Sequence, residues 1–363
     1  MTVKHLTIKA GLWIFCLLTA IAIGFLIVYK TDIKTLQDVK SMDLRFLFFA
    51  LFFICLSWCF DVLRLKALTE SVGINMPFLY GTRVVLSYVF LANITPSSSG
   101  GGPLLIYMLN QKGVTVGKAS AITFIRGTIT LLFFAVGGAI IIYFNDEFLL
   151  HTGIKLLFDY TAIFLGATGA FFLGLYFFPT PIRRCLDLLF LYLEKFIWFR
   201  GKTFHAKRVL FHIVDDFKSS IKGFIQNERW RLILVAFYTA MMIATQFLVA
   251  PMILESLGFR MQIMNTFMIQ GVLNFMLYCV PTPGGSGMAE GLGYAFFSPL
   301  VPSYIIGLFL ILWKLITTYI WTLVGGLIVA KSIGMKHLEE IIITTEKDIE
   351  SAQDASLSNP QVK

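Results

Sequence analysis

The sequence predicts an all-α polytopic membrane protein with six spanning helices and two re-entrant helical hairpins in inverted repeats. Three observations carry this. Hydrophobic residues make up 57% of the 363 positions and charged residues only 14%, where a soluble domain carries about 25% charged residues. Six apolar segments are close to the ~20 residues that a spanning helix needs. Two more are interrupted by short polar knots rich in Gly, Ser and Pro, and the knots resemble each other: Thr95-Pro96-x-x-Ser99-Gly100 and Thr282-Pro283-x-x-Ser286-Gly287.

The elements follow in chain order. Lys4 and Lys9 precede an apolar run over 10–29 with no small-x-small cleavage site after it, which reads as a retained first helix. The second span is 44–65. Residues 83–95, the knot and 103–110 form the first broken stretch, followed by spans 119–144 and 156–178. After a long polar segment come span 232–254, the second broken stretch (263–280, the knot 281–287, then 288–298) and span 304–330. Proline removes a donor and fixes φ, and glycine loosens the backbone, so neither knot continues a helix. Segment 103–110 would make about 12 Å of helix, against a hydrocarbon core of about 30 Å. A hairpin that enters and leaves on one side resolves this. Irregular backbone at membrane depth is tolerated only where it is buried or lines a cavity.

Basic residues set the orientation. Lys4, Lys9, Arg64, Lys66, Arg83, Lys112, Lys118, Lys331 and Lys336 fall on one side in one threading, together with segment 180–231, which holds eleven Lys and Arg against five acids. The opposite side receives the acidic 145–151. The link 30–43 is mixed. The two hairpins then enter from opposite faces, a transporter arrangement with the site at the breaks. The resulting domain plan is a membrane domain over 1–330, with repeat one at about 44–144 and repeat two at about 232–330, and a polar cytoplasmic tail over 331–363. Within 180–231, Leu210, Ile213, Val214, Phe217, Ile221 and Phe224 recur at helical spacing opposite Lys and Arg. This fits an amphipathic helix on the inner leaflet or a helical hairpin packed on the bundle.

Ionisable residues inside spans mark function or internal pairing. Arg126 follows Pro96 by 30 residues and Lys314 follows Pro283 by 31, so the two cations hold equivalent places in the repeats. One reading has them clamp an anionic headgroup between the tips; the other has each neutralise an acid such as Asp61, Asp159 or Glu290. The helix that begins after each break offers unpaired amides and a positive dipole end. Pro103 suits its first position and Ser286 a cap. Glu290 either balances Lys314 or carries a proton. The candidate binding residues are thus Arg126, Lys314 and Glu290. From the breaks come Thr95, Pro96, Ser99 and Gly101, and Pro283, Gly284, Gly285, Ser286 and Gly287; small residues there also suit close helix packing.

Other chemistry is not signalled. The five cysteines read as small buried apolar residues and the five histidines are scattered, so no metal and no cofactor is expected. Phosphate-loop, serine-hydrolase and zinc-protease motifs are absent.

The stretch "TPSSSGGGPLLIYMLNQKGVTVGKASAITFIRG" together with "PTPGGSGMAEG" resembles the membrane domain of the lysylphosphatidylglycerol synthase/flippase family. That family has an N-P-x-x-x-GG-type break followed by an R-x-x-x-L-like helix, and later a P-G-G-x-G-x-x-E break, which residues 283–290 match closely. The first break departs: many relatives place an acid and an arginine after the paired glycines, where this chain has Pro103-Leu104-Leu105-Ile106-Tyr107. The resemblance runs from the first span to about residue 330, and Arg126 and Lys314 fall where relatives tend to have basic residues.

The resemblance implies a multi-pass protein of a bacterial inner membrane with both termini cytoplasmic. It would bind or translocate an anionic or aminoacylated phospholipid such as lysyl-phosphatidylglycerol. Its alternatives are phosphatidylglycerol lysyltransferase activity with resistance to cationic peptides, or transport of a polyprenyl phosphate or glycolipid. Full-length members carry a soluble aminoacyltransferase domain; this sequence stops soon after its last span, so that activity is not expected from it and no catalytic residue is assigned. Expected partners are phospholipid and membrane, with a separate lipid-modifying enzyme and a homo-oligomer as further candidates, and no nucleic acid.

Overall fold

The computed structural model describes residues 42–144 and 222–332, apart from positions 96, 97, 99, 225, 227, 261, 278, 279 and 281, with a few isolated residues elsewhere. The expected spans 10–29 and 156–178, most of the basic segment 180–231 and almost all of the tail lie outside the described residues, as do Pro96, Ser99 and Asp159. Among the described residues the chain is all helical. The helices are α1 Leu44–Glu70, α2 Phe78–Ile94, α3 Gly101–Asn110, α4 Val116–Phe144, α5 Arg229–Phe247, α6 Val249–Ser256, α7 Ile263–Leu277, α8 Met288–Phe297, α9 Ile306–Lys314 and α10 Ile320–Ser332. Four stretches are long and apolar enough to cross a membrane: Leu44–Glu70, Val116–Gly137, Arg229–Ser256 and Ile306–Lys331. The chain is a multi-pass membrane protein.

Local chemistry sets the boundaries. Asp43 caps α1, its carboxylate accepting from the Arg45 amide at 3.0 Å. The Arg45 side chain adds further bonds to that carboxylate and holds its pKa below the usual range. The first half of α1 turns Phe48, Phe49 and Phe52 outward and buries Ala50 and Ile54. That exposure suits lipid rather than water. Cys55 shares the outward face, contrary to the buried place expected for the cysteines. Gly73, at φ 85°, ends the turn after α1.

The second half of the chain shows two interruptions with identifiable causes. Pro251 cannot donate to the Phe247 carbonyl four residues earlier, and α5 gives way to α6 at that point. The Gln270 side chain takes the freed carbonyl at 2.8 Å. Between α9 and α10 lies a turn of π-helix, Leu315–Tyr319, where the Ile320 amide reaches back to Leu315. The Trp321 indole donates to the bypassed Ile316 carbonyl at 2.7 Å. Such turns occur often at functional sites.

Packing relates the two halves reciprocally. α1 lies against α5, α2 against α10, and α7 against α4. The final long helix of each half thus packs on the first arm of the other half's broken stretch. Within the first half, α2 and α3 run antiparallel: the Tyr80 hydroxyl near the start of α2 donates to the Met108 carbonyl near the end of α3, at 2.8 Å. One apolar cluster surrounds α2, α3 and the start of α4, and a second surrounds α6 to α9.

Candidate functional site

The two breaks are built differently. At the first, the Thr95 hydroxyl donates to the Leu91 carbonyl at 2.7 Å and accepts from the Gly100 amide at 2.9 Å, closing the turn on itself. α3 starts at Gly101, two residues ahead of the expected Pro103, which still falls in the first turn. A side chain at Gly101 would meet the Tyr88 ring at 2.7 Å, so glycine lets the break press against α2. At the second break, Pro283–Gly285 forms one 3₁₀ turn, and Gly284, Gly285 and Gly287 take φ of 58°, 66° and 83°. Only glycine adopts this run readily. The cap of α8 is Gly287, whereas Ser286 had been expected in that role. The Ser286 hydroxyl is buried and, among the described residues, without a hydrogen-bond partner.

Both breaks border one cavity of about 590 Å³, through Ser98 and Gly102 on one side and Thr282, Gly284 and Gly285 on the other. Arg126 and Lys314 line it too. The equivalent cations are therefore brought to one space, but they are held differently. Asp61 receives Arg126 in a fork, Nη2 to Oδ2 at 2.5 Å and Nε to Oδ1 at 3.3 Å, and it also pairs with Arg64. Arg64 donates to the Thr130 hydroxyl at 2.7 Å, and the Arg126 guanidinium stands 4.3 Å over the Tyr88 ring. Asp61, one of the acids that could neutralise Arg126, is bonded to it. Arg64, expected among the cations at the membrane surface, is instead 3% exposed on the cavity wall. The signal for this was present in the sequence, since Asp61 and Arg64 are three residues apart on one apolar helix.

Lys314 donates to the Gly284 carbonyl at 3.2 Å, and among the described residues it makes no ion pair. Glu290 does not close on it. Its carboxylate accepts from the Gly287 amide at 2.7 Å and the Tyr319 hydroxyl at 2.9 Å, and it is not part of the described cavity lining. Thr95, Gly101, Pro283, Ser286 and Gly287 likewise shape the breaks from behind the lining. Among the described residues that line the cavity, three cations (Arg64, Arg126, Lys314) face one carboxylate, Asp61.

Among the described residues, four polar atoms on the lining have no hydrogen-bond partner: Trp58 Nε1, Arg64 Nε, Thr282 Oγ1 and Trp313 Nε1. The two tryptophans are the contributors that sequence reasoning missed, because within an apolar run an indole looks like core. The same wall carries Asn93, Gln246, Gln270, Asn274, Thr317 and Thr318. It is therefore far more polar than the spans' overall composition suggests.

The sequence model of one protein family, described as the lysylphosphatidylglycerol synthase TM region, matches residues 12–325. A UPF0104 membrane protein of Archaeoglobus fulgidus is 24% identical over 307 residues, covering 83% of this chain and 91% of that one.

Proposed function

This chain belongs to the lysylphosphatidylglycerol synthase transmembrane-region family, and from that premise we propose that it binds an anionic or aminoacylated phospholipid by the headgroup and carries it between the leaflets of the cell membrane. The observation that carries this reading is the single cavity shared by both breaks, with Arg126 and Lys314 on its wall. Charges at membrane depth need compensation, and a phosphate supplies it through charge-assisted hydrogen bonds.

The same reading takes α2–α3 and α7–α8 as hairpins entering from opposite faces. Ten residues of α3 make about 15 Å of helix, half of a hydrocarbon core. The reciprocal packing of the halves is what a two-fold axis in the membrane plane would produce. The basic segment 180–231 and both termini then lie on the cytoplasmic side.

The test is translocation of fluorescent phospholipid in liposomes containing the purified chain, followed by chemical quenching of the outer leaflet. Protein-dependent loss of protected lipid is expected. A rate equal to that of protein-free liposomes would overturn the reading. Incubation with lysyl-tRNA and phosphatidylglycerol liposomes is the companion measurement. Lysyl-lipid made by this chain alone would favour an enzyme instead.

A further inference from the structure

The charge and hydrogen-bond balance of the cavity narrows the headgroup. We propose that the site takes a phosphate carrying no ammonium group, and discriminates against an aminoacylated headgroup. The inference rests on the lipid reading above and deepens it.

The wall is donor-rich. Trp58 Nε1, Arg64 Nε and Trp313 Nε1 are N–H groups without partners among the described residues, and Arg64 and Trp313 are 3% and 6% exposed. An indole or guanidinium N–H can only donate, and a buried donor left unpaired is costly. Charge-assisted bonds to phosphate oxygens would satisfy such groups.

The carboxylates on and behind the wall, the strongest acceptors for an ammonium group, are already engaged. Both Asp61 oxygens are held by Arg64 and Arg126. Lys314 holds the Gly284 carbonyl. Both Glu290 oxygens are bonded behind the wall by Gly287 and Tyr319. A lysyl group would bring two ammonium ions, donors only, beside the three cations and one committed carboxylate that line the cavity among the described residues. Like charges in a confined low-dielectric space repel strongly.

Phosphatidylglycerol and lysyl-phosphatidylglycerol differ only by the lysyl group, which makes them the decisive pair. The purified full chain in lipid nanodiscs, with phosphatidylcholine as matrix, is titrated with each lipid and with inorganic phosphate. Tryptophan fluorescence and thermal stability are read in parallel. Phosphatidylglycerol is expected to bind at least about tenfold more tightly than its lysyl ester. Trp313→Phe keeps an aromatic ring and removes the donor, and should weaken phosphatidylglycerol binding several-fold. Lys314→Gln should narrow the ratio between the two lipids. Equal or tighter binding of the lysyl lipid overturns the selectivity and leaves the lipid site standing. Binding of inorganic phosphate alone, with neither lipid, sinks the lipid reading. Binding of none of the three overturns both.

Discussion

Lys314 is tied by its Nζ to the backbone carbonyl of Gly284 at 3.2 Å, so the cation of the last span is anchored to the second break. A carbonyl dipole compensates an ammonium charge less fully than a carboxylate does. Arg126, forked on Asp61, is the contrasting case. This difference separates the expected behaviour of the two equivalent cations.

Lys314→Gln removes a buried charge that has no ion-pair partner among the described residues. Melting temperature should stay level or rise, because an unpaired buried charge is expensive. Lipid translocation should fall at least about tenfold, the loss of one charge-assisted contact. A lowered melting temperature with unchanged transport would make Lys314 a structural residue.

Asp61→Asn leaves Arg64 and Arg126 buried with no carboxylate between them. The expected loss of stability is about 3–5 kcal/mol, as for a buried pair that loses one partner. Arg126→Gln should cost less, since Asp61 keeps Arg64. The double variant should be more stable than the sum of the singles predicts, by double-mutant-cycle analysis in detergent. Strict additivity would show that the three side chains do not act as one unit.

Gly325 is where α10 crosses α2. A side chain there would stand 2.2 Å from the Leu86 carbonyl, which is backbone and cannot turn aside. Gly325→Ala should destabilise by about 1–3 kcal/mol through forced separation of the helices. Gly291 in α8 has nothing within 4 Å of such a side chain. Its change to alanine should be neutral or stabilising by up to about 1 kcal/mol. Thermal unfolding of the pair checks both, and equal effects would refute the close crossing.

Gln270→Leu removes the donor that occupies the carbonyl freed by Pro251. A loss of about 1–3 kcal/mol is expected from the unpaired carbonyl. Pro251→Ala in the same background should recover much of it by restoring the helical bond. No recovery would mean that the kink has another cause.

Single cysteines at Ser98 and Met288, both exposed, test the hairpins in a chain cleared of its other cysteines. An impermeant thiol reagent should reach them from opposite faces of sealed vesicles. Labelling of both from one face, at the rate of an open loop, would rule out oppositely directed hairpins.

The sequence by itself determined the helical class, the spans at 44–65, 119–144, 232–254 and 304–330, and the two breaks. These are local properties: length of apolar run, the missing donor of proline, the freedom of glycine. The structure matches those spans to within a few residues, with the last two interrupted at Pro251 and Leu315–Tyr319. The equivalence of Arg126 and Lys314 was legible because it is a matter of counting. Only the tertiary structure decided what each cation meets. Asp61 and Arg126 are separated by 65 residues, and no periodicity connects them. It likewise moved Arg64 from the surface to the cavity wall and turned Glu290 away from it, toward Tyr319. The physical reason is that a carboxylate and a guanidinium attract at any sequence separation. Which ones meet is fixed by helix crossings such as that at Gly325, where shape is set by backbone contact and not by the charges themselves.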